Sequence, residues 1–225
     1  MVSTPVWLSW SSGKDSAWAL QVLRHQVPFE VVALLTTINS SYGRVAMHAV
    51  REELLEQQAD AVGLPLIKVP LPWPCSNADY EQMMAAALAQ ARREGIRHIA
   101  FGDLFLEDVR RYREAQLAGT GIEPLFPLWQ FDTTQLARTM IACGLRAYLT
   151  CVDPRKLSPR LAGRSFDAAL LDNLPPGVDP CGESGEFHTF AFEGPMFRHP
   201  VLVDTGEVVE REGFIFADLK PRGCA

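Results

Sequence analysis

The stretch LSWSSGKDSAWAL, residues 8–20, passes from an apolar segment through Ser11-Ser12-Gly13-Lys14-Asp15-Ser16 into a helical pattern. Small residues, a glycine and a lysine at a strand-to-helix junction mark a phosphate loop. Backbone N–H groups, the positive end of the helix dipole and the lysine all converge there on an anion. The spacing excludes two common loops. A Walker A loop needs glycine five residues before the Gly-Lys pair and Ser or Thr after the lysine, but those positions hold Leu8 and Asp15. A dinucleotide fingerprint needs three glycines, and only Gly13 is present. Asp15 is the odd member, because a carboxylate beside phosphate is repulsive unless a cation intervenes. A Mg²⁺ held by Asp15 and phosphate oxygens resolves this; an acidic residue that merely decorates a helix N-terminus gives the same pattern.

Outward from this loop the chain alternates strand and helix signals. Residues 5–9 read as a buried strand and 16–24 as a helix, and FEVVALLTT (29–37) is a continuous apolar run of the kind covered on both faces. A helix over about 47–62, a strand at 66–71, a helix capped by Asn77 and a strand at 96–103 follow, with a fifth strand expected at 124–129. This alternation predicts an α/β fold with a doubly wound parallel five-stranded sheet. Beyond residue 130 the regularity weakens to a helix near 133–143, a strand near 145–152, a helix near 165–174, and a hairpin expected to turn near Thr205-Gly206. The expected organisation is a nucleotide-binding domain over 1–129 and a smaller α+β domain over 130–225.

The bulk composition narrows the function. Among 225 residues the net charge is −6, which argues against a protein that wraps nucleic acid. The five cysteines form no CxxC pair, as expected of reduced thiols in a cytoplasmic protein. The N-terminus lacks a basic segment followed by a long apolar run, and no apolar stretch reaches the roughly 18 residues of a membrane span. Self-association into a homo-oligomer is compatible with the composition.

SSGKDS resembles the SGGKDS loop of the PP-loop ATP pyrophosphatases, which cleave ATP between the α- and β-phosphates. Ser12 stands where that pattern has a second glycine, a departure of little consequence if its φ is negative. Further blocks, MHAVREELLEQQADAVGLPL, FGDLFLEDVRRYREAQL, PLFPLW, and above all DPCGESGEFHTF with GPMF, are similar to the diphthine–ammonia ligase family. The resemblance implies parallel strands in the order 3-2-1-4-5, with ATP at their C-terminal ends. It also implies ATP-dependent amidation: a carboxylate is adenylated, pyrophosphate leaves, and ammonium-derived ammonia displaces AMP. In that family the carboxylate is diphthine on elongation factor 2. ATP and Mg²⁺ are the expected cofactors, with Ser11, Ser12, Gly13, Lys14, Asp15 and Ser16 on the nucleotide and Asp15 as the metal ligand.

Gly102 and Asp103 end the fourth strand at the same sheet edge. By analogy Gly102 allows close approach to ATP while Asp103 faces metal or phosphate; an Asp capping the next helix is the plainer reading. His48 and Arg51 start the second helix and are candidates to touch ATP or substrate, as a surface pair would also do. Arg110, Arg111 and Arg113 are weaker candidates for phosphate charge. In the second motif, Glu186, His188 and Phe190 alternate onto one strand face and Phe187, Thr189 and Ala191 onto the other. Glu183 precedes them in a glycine-rich loop. Two glutamates and a histidine can bind ammonium, position Mg²⁺ or deprotonate the incoming amine; an ordinary exposed edge has the same pattern. The resemblance makes Glu183, Gly185, Glu186, His188 and Thr189 the substrate side, with Lys14, Asp15, Glu183, Glu186 and His188 catalytic. Cys181, inside the motif, is read as inert packing. Two other readings are compatible with the loop: a PP-loop tRNA-modifying enzyme, which should carry a basic extra domain or sulfur-transfer cysteines, and an ATP sensor without turnover.

Overall fold

The computed structural model describes residues 3–40, 44–45 and 50–223. The first sheet is built from β1 (Thr4–Ser9), β2 (Phe29–Asn39), β4 (Leu66–Leu71), β5 (His98–Ala100) and β6 (Glu123–Leu125), all parallel, in the order β4-β2-β1-β5-β6. Numbered among themselves, these strands run 3-2-1-4-5, as expected. The short β3 (Arg44–Val45) adds antiparallel pairing to Ile38 and Asn39 at the C-terminal end of β2.

Residue alternation along the strands decides which helices cover which face. Val6 and Leu8 of β1 belong to one buried cluster, with α1 (Lys14–Arg24) and α2 (Glu52–Val62). Trp7, one residue out of phase, belongs to the other, with α3 (Asn77–Arg93) and Leu117 at the end of α4 (Glu107–Leu117). This is the period-two placement of a doubly wound sheet.

The C-terminal region carries α5 (Thr133–Ala142), β7 (Arg146–Val152), α6 (Ala168–Asp172), β8 (Phe187–Glu193), β9 (Val203–Arg211) and β10 (Phe214–Pro221). Its strands form an antiparallel sheet in the order β8-β7-β10-β9. The apolar residues of this sheet join the α1–α2 cluster, so one continuous core runs from the first helix to β10.

Several boundaries depart from expectation, each for a local reason. The fifth strand is only Glu123–Leu125, because Pro124 and Pro127 limit ladder hydrogen bonding and the chain turns at 127–130. The C-terminal hairpin turns at Glu212-Gly213, with φ of 51° and 79°, not at Thr205-Gly206. Two positive φ values suit the type I′ turn that matches strand twist, whereas Gly206 lies within β9 against the Lys220 stem. α3 is capped by Ser76, in a reciprocal capping box with Asp79, rather than by Asn77. His48, a candidate substrate residue, lies outside the described residues.

Candidate active site

The phosphate loop joins β1 to α1 at the C-terminal edge of the parallel sheet. α1 begins at Lys14, with Gly13 as its N-cap and no side-chain cap of its own. The missing acceptor comes from far along the chain: the Lys14 backbone N–H donates to Thr189 Oγ1 at 3.0 Å. Ala191 N donates to Ser12 O at 2.9 Å, so β8 is laid directly along the loop. Buried Gln58 of α2 completes the join. Its Nε2 donates to Ser12 O (2.9 Å) and Ala191 O (2.5 Å), while its Oε1 accepts from Trp10 Nε1 (2.9 Å).

Thr189 is thus buried and engaged with the loop backbone, which makes it a loop-positioning group where the sequence suggested a substrate contact. Thr189→Val is expected to lower stability by about 1 kcal/mol, the usual worth of an N-cap, and to weaken nucleotide binding. Thr189→Ser should restore both. Urea melts and nucleotide titrations of the two variants check this; full nucleotide affinity in the valine variant would return Thr189 to the substrate side.

Ser12 also departs from expectation. Its φ is +70°, in the left-handed region where a β-carbon is strained, and its buried hydroxyl has no hydrogen-bond partner among the described residues. The two bonds to its carbonyl hold it there. Ser12→Gly is therefore expected to stabilise the protein by about 1 kcal/mol, whereas Ser12→Ala retains the strain. Thermal melts of both variants separate the two contributions.

Lys14 points from the loop into the second motif. Its ammonium donates to Asp15 Oδ1 and Oδ2 at 2.9 and 2.7 Å and to the Cys181 carbonyl, between the rings of Phe166 and Phe187 at 5.6 and 5.5 Å. Burial works against its charge, but Asp15, Cys181 and Glu183 outweigh this and leave its pKa raised. Burial likewise raises Asp15, against the pull of Lys14 and with help from Asp179. The loop therefore meets an excess of carboxylates. Burial also pushes the Cys181 thiol up; this residue contributes its carbonyl, and its sulfur stays an inert thiol.

The second motif is organised by carboxylates that each hold the next backbone segment. Glu186 Oε1 accepts from Asp179 N (3.2 Å), Asp179 Oδ2 from Glu183 N (2.9 Å), and Glu183 Oε1 from Leu104 N (2.8 Å). Glu186 is almost fully buried, at 3% exposure, and its Oε2 has no partner among the described residues. Gly185 takes φ +81° with open space where a Cβ would stand. Asp179 escaped the sequence reading, as did Gln58; an inward Gln among the apolar positions of α2 was the available signal.

Gly102 meets the start of α1 closely: a Cβ there would lie 3.0 Å from Asp15 C and Ser16 N. Asp103 does not cap α4, whose N-cap is Leu106; it faces Arg113 Nε at 3.5 Å. Burial raises the Asp103 carboxyl, partly offset by Arg113. Arg110 lies over Phe126 and Trp129 and pairs with Glu114, and Arg51 binds Asp218, so neither is drawn to the loop. Beside Ser11, a cavity of about 480 Å³ opens between β1, β2, α3 and α4, lined by Trp10, Thr37, Phe101 and Tyr112 among others.

Comparison with known proteins fits this geometry. The model of the diphthamide synthase N-terminal domain matches residues 5–122, and that of the diphthamide synthase C-terminal domain matches residues 132–220. The chain belongs to the diphthamide synthase family. Proteins named diphthine–ammonia ligase are similar over most of its length. The one from Danio rerio is 28% identical over 238 residues, covering 93% of this chain and 90% of the relative. Those from Bos taurus and Homo sapiens are 28% and 27% identical over 194 residues, covering 79% of this chain and 70% of each relative. Membership in the diphthamide synthase family places the chain among ATP-dependent amidating ligases, in line with its motifs.

Two site groups titrate in opposition. Burial raises Glu183 to about 7, against the Leu104 N–H bond, and burial with Lys14 nearby lowers His188 to about 4. A raised carboxyl stabilises the fold below its unfolded value of 4.5 and loses that contribution as pH rises through about 7. A lowered imidazole does the reverse, adding stability as pH rises from about 4 to 6.5. Asp15 and Asp103 share the sign of Glu183. Glu183→Gln is accordingly expected to gain on the wild type by about 2 kcal/mol between pH 4.5 and 7.5. Urea unfolding across that range reads the difference; parallel curves for the two proteins would remove Glu183 from the account.

Proposed function

We propose that the chain uses ATP to adenylate the carboxylate of diphthine on elongation factor 2 and then amidates it with ammonia. The observation that carries this reading is the junction at Lys14, whose backbone and ammonium both bind the second motif. Phosphate grip and carboxylate cluster thereby form one site. In the first step a substrate carboxylate oxygen attacks the α-phosphorus and the bond to pyrophosphate breaks. Lys14 and the α1 N-terminus stabilise charge on the departing group. In the second, ammonia nitrogen attacks the acyl carbon, AMP leaves, and a proton passes to a base. Glu183, with its pKa near 7, is the group suited to accept it. Neutral His188 faces the same chemistry as a hydrogen-bonding partner, and Glu186 with Asp179 hold Glu183 in place. Adenosine is assigned to the cavity beside Ser11.

The donor set at the loop suits a Mg²⁺ that arrives with the nucleotide. No three His, Cys, Asp or Glu side chains among the described residues form a metal cage. An ion delivered with a nucleotide needs only one or two carboxylates beside phosphate oxygens, and Asp15, 26% exposed at the loop, fits that need. When bound, Mg²⁺ would supply charge neutralisation on the phosphates.

Residues 1–129 are assigned to nucleotide binding and 130–225 to the substrate side, supported by the first sheet ending at Leu125 and the second starting at Arg146. No helix among the described residues is long and apolar enough to cross a membrane; a cytoplasmic site of action is proposed along with the elongation-factor substrate. The test is product analysis with Mg-ATP, ammonium and diphthine-bearing elongation factor 2. AMP and pyrophosphate in equal amounts, with a diphthamide product by mass spectrometry, are expected. ADP as the product overturns the mechanism; AMP formed only with a different carboxylate overturns the substrate.

A further inference from the structure

Among the described residues, Arg113 is the only charged side chain that lines the cavity beside Ser11. It projects from α4, and its guanidinium carbon lies 4.9 Å from the centre of the Phe101 ring. Its Nε faces Asp103 Oδ2 at 3.5 Å; both atoms are buried, and neither has a hydrogen-bond partner among the described residues. An aromatic face and a carboxylate together orient the planar guanidinium. Its two terminal nitrogens donate to no described residue. They are donors held ready for whatever enters the cavity.

The pair sits at the phosphate end of this cavity. Asp103 follows Gly102, which abuts the first turn of α1, and precedes Leu104, whose N–H is held by Glu183. Ser11 of the phosphate loop lines the same cavity, while Leu71, Met84 and Leu88 bring an apolar wall from β4 and α3. A nucleotide with its phosphates on the loop and its base against that wall has its sugar between them, beside Arg113.

We propose that Arg113, oriented by Asp103, binds the ribose hydroxyls of the nucleotide and makes the site select ribonucleotides over deoxyribonucleotides. The proposal rests on the assignment of adenosine to this cavity. A hydroxyl both donates and accepts, and a guanidinium beside a carboxylate offers donors and an acceptor together. Phosphate suits the position less well. Arg113 already faces one carboxylate, and Asp103 also adds to the negative field at Glu183, so a phosphate there would meet like charge.

The test is equilibrium titration of ATP, 2′-deoxy-ATP and 3′-deoxy-ATP, each with Mg²⁺, into the wild type and Arg113→Met. The substitution keeps an apolar stem over Phe101 and removes the donors. The wild type is expected to bind ATP at least about tenfold more tightly than one or both deoxy forms, the scale of a hydrogen bond to a charged group. The deoxy form that loses affinity identifies the hydroxyl that is held. Arg113→Met should lose that preference, with all three nucleotides within about threefold of one another. A variant that binds all three more weakly but keeps the wild-type preference overturns the proposal, because the arginine then serves phosphate, base or fold. Equal affinities in the wild type overturn it as well, whether or not the variant folds, and leave nucleotide binding itself intact. A wild type that binds none of the three removes the nucleotide reading and this proposal with it.

Discussion

Lys14→Ala is expected to reduce pyrophosphate release by about 10²–10³-fold, the usual cost of removing one preorganised donor from a developing charge. The effect is large because Lys14 is buried and faces an excess of negative charge. Its ammonium is the direct partner of Asp15, and Glu183 and Asp179 add to the same field. Without it, ATP phosphates would enter a pocket of uncompensated carboxylates. The Cys181 carbonyl would also lose its donor, loosening the second motif from the loop. Stability should drop by only about 1–3 kcal/mol, since Asp15, already raised, can take up a proton. Lys14→Arg is not expected to rescue activity, because a planar guanidinium does not fit a slot shaped between Phe166 and Phe187 for a compact ammonium. The measurement is AMP and pyrophosphate formation alongside urea unfolding. Wild-type turnover by a folded Lys14→Ala protein would sink the phosphate-loop mechanism.

Gly102→Ala should damage nucleotide binding from outside the loop. Its Cβ would stand 3.0 Å from Asp15 C and Ser16 N and 3.1 Å from Asp15 O. All three are backbone atoms of the first turn of α1, so no rotamer change relieves the contact; either α1 or the end of β5 must move. Overpacking of this kind costs about 1–3 kcal/mol. A displacement of the helix start also misaims the N–H groups that hold phosphate, so nucleotide affinity should fall at least about tenfold. Gly185→Ala is the contrast. Its φ of +81° imposes a left-handed penalty, but no atom lies within 4 Å of the added carbon, so the cost should stay near 1 kcal/mol and leave nucleotide affinity unchanged. Nucleotide titration of both variants decides whether the close approach at Gly102 is needed. Equal affinities would mean that it is not.

The loop at residues 11–16, the alternation of strands and helices, and the fold class were legible in the sequence because they rest on local chemistry and on period-two and period-3.6 burial. The FEVVALLTT run could only be a strand covered on both faces, and it is the two-sided β2 of the sheet. The GESGEFHT block was legible as chemistry, since two carboxylates and an imidazole near a glycine turn are poor core material. What the local pattern misjudged were positions where two readings share one composition. Thr205-Gly206 and Glu212-Gly213 both look like turns, and the register between β9 and β10 chose the second. Ser12 gives no local sign of a positive φ; that conformation is imposed by hydrogen bonds from Gln58 and Ala191, distant in sequence.

By itself, then, the sequence determined that this chain builds a parallel α/β sheet with an anion-gripping loop after its first strand, and that a second acidic motif lies near the C-terminal end. Only the tertiary structure decided that Thr189 caps α1 and that the Cys181 carbonyl receives Lys14. It likewise decided that Asp179 holds Glu183 and that Gly102 admits the helix start. Apart from the Asp179–Glu183 bond, which closes within one loop, each is a contact between segments tens of residues apart, made by a backbone group or by the precise approach of two elements. Side-chain periodicity encodes which face of a strand is buried, but not which distant donor finds which acceptor once that face is closed.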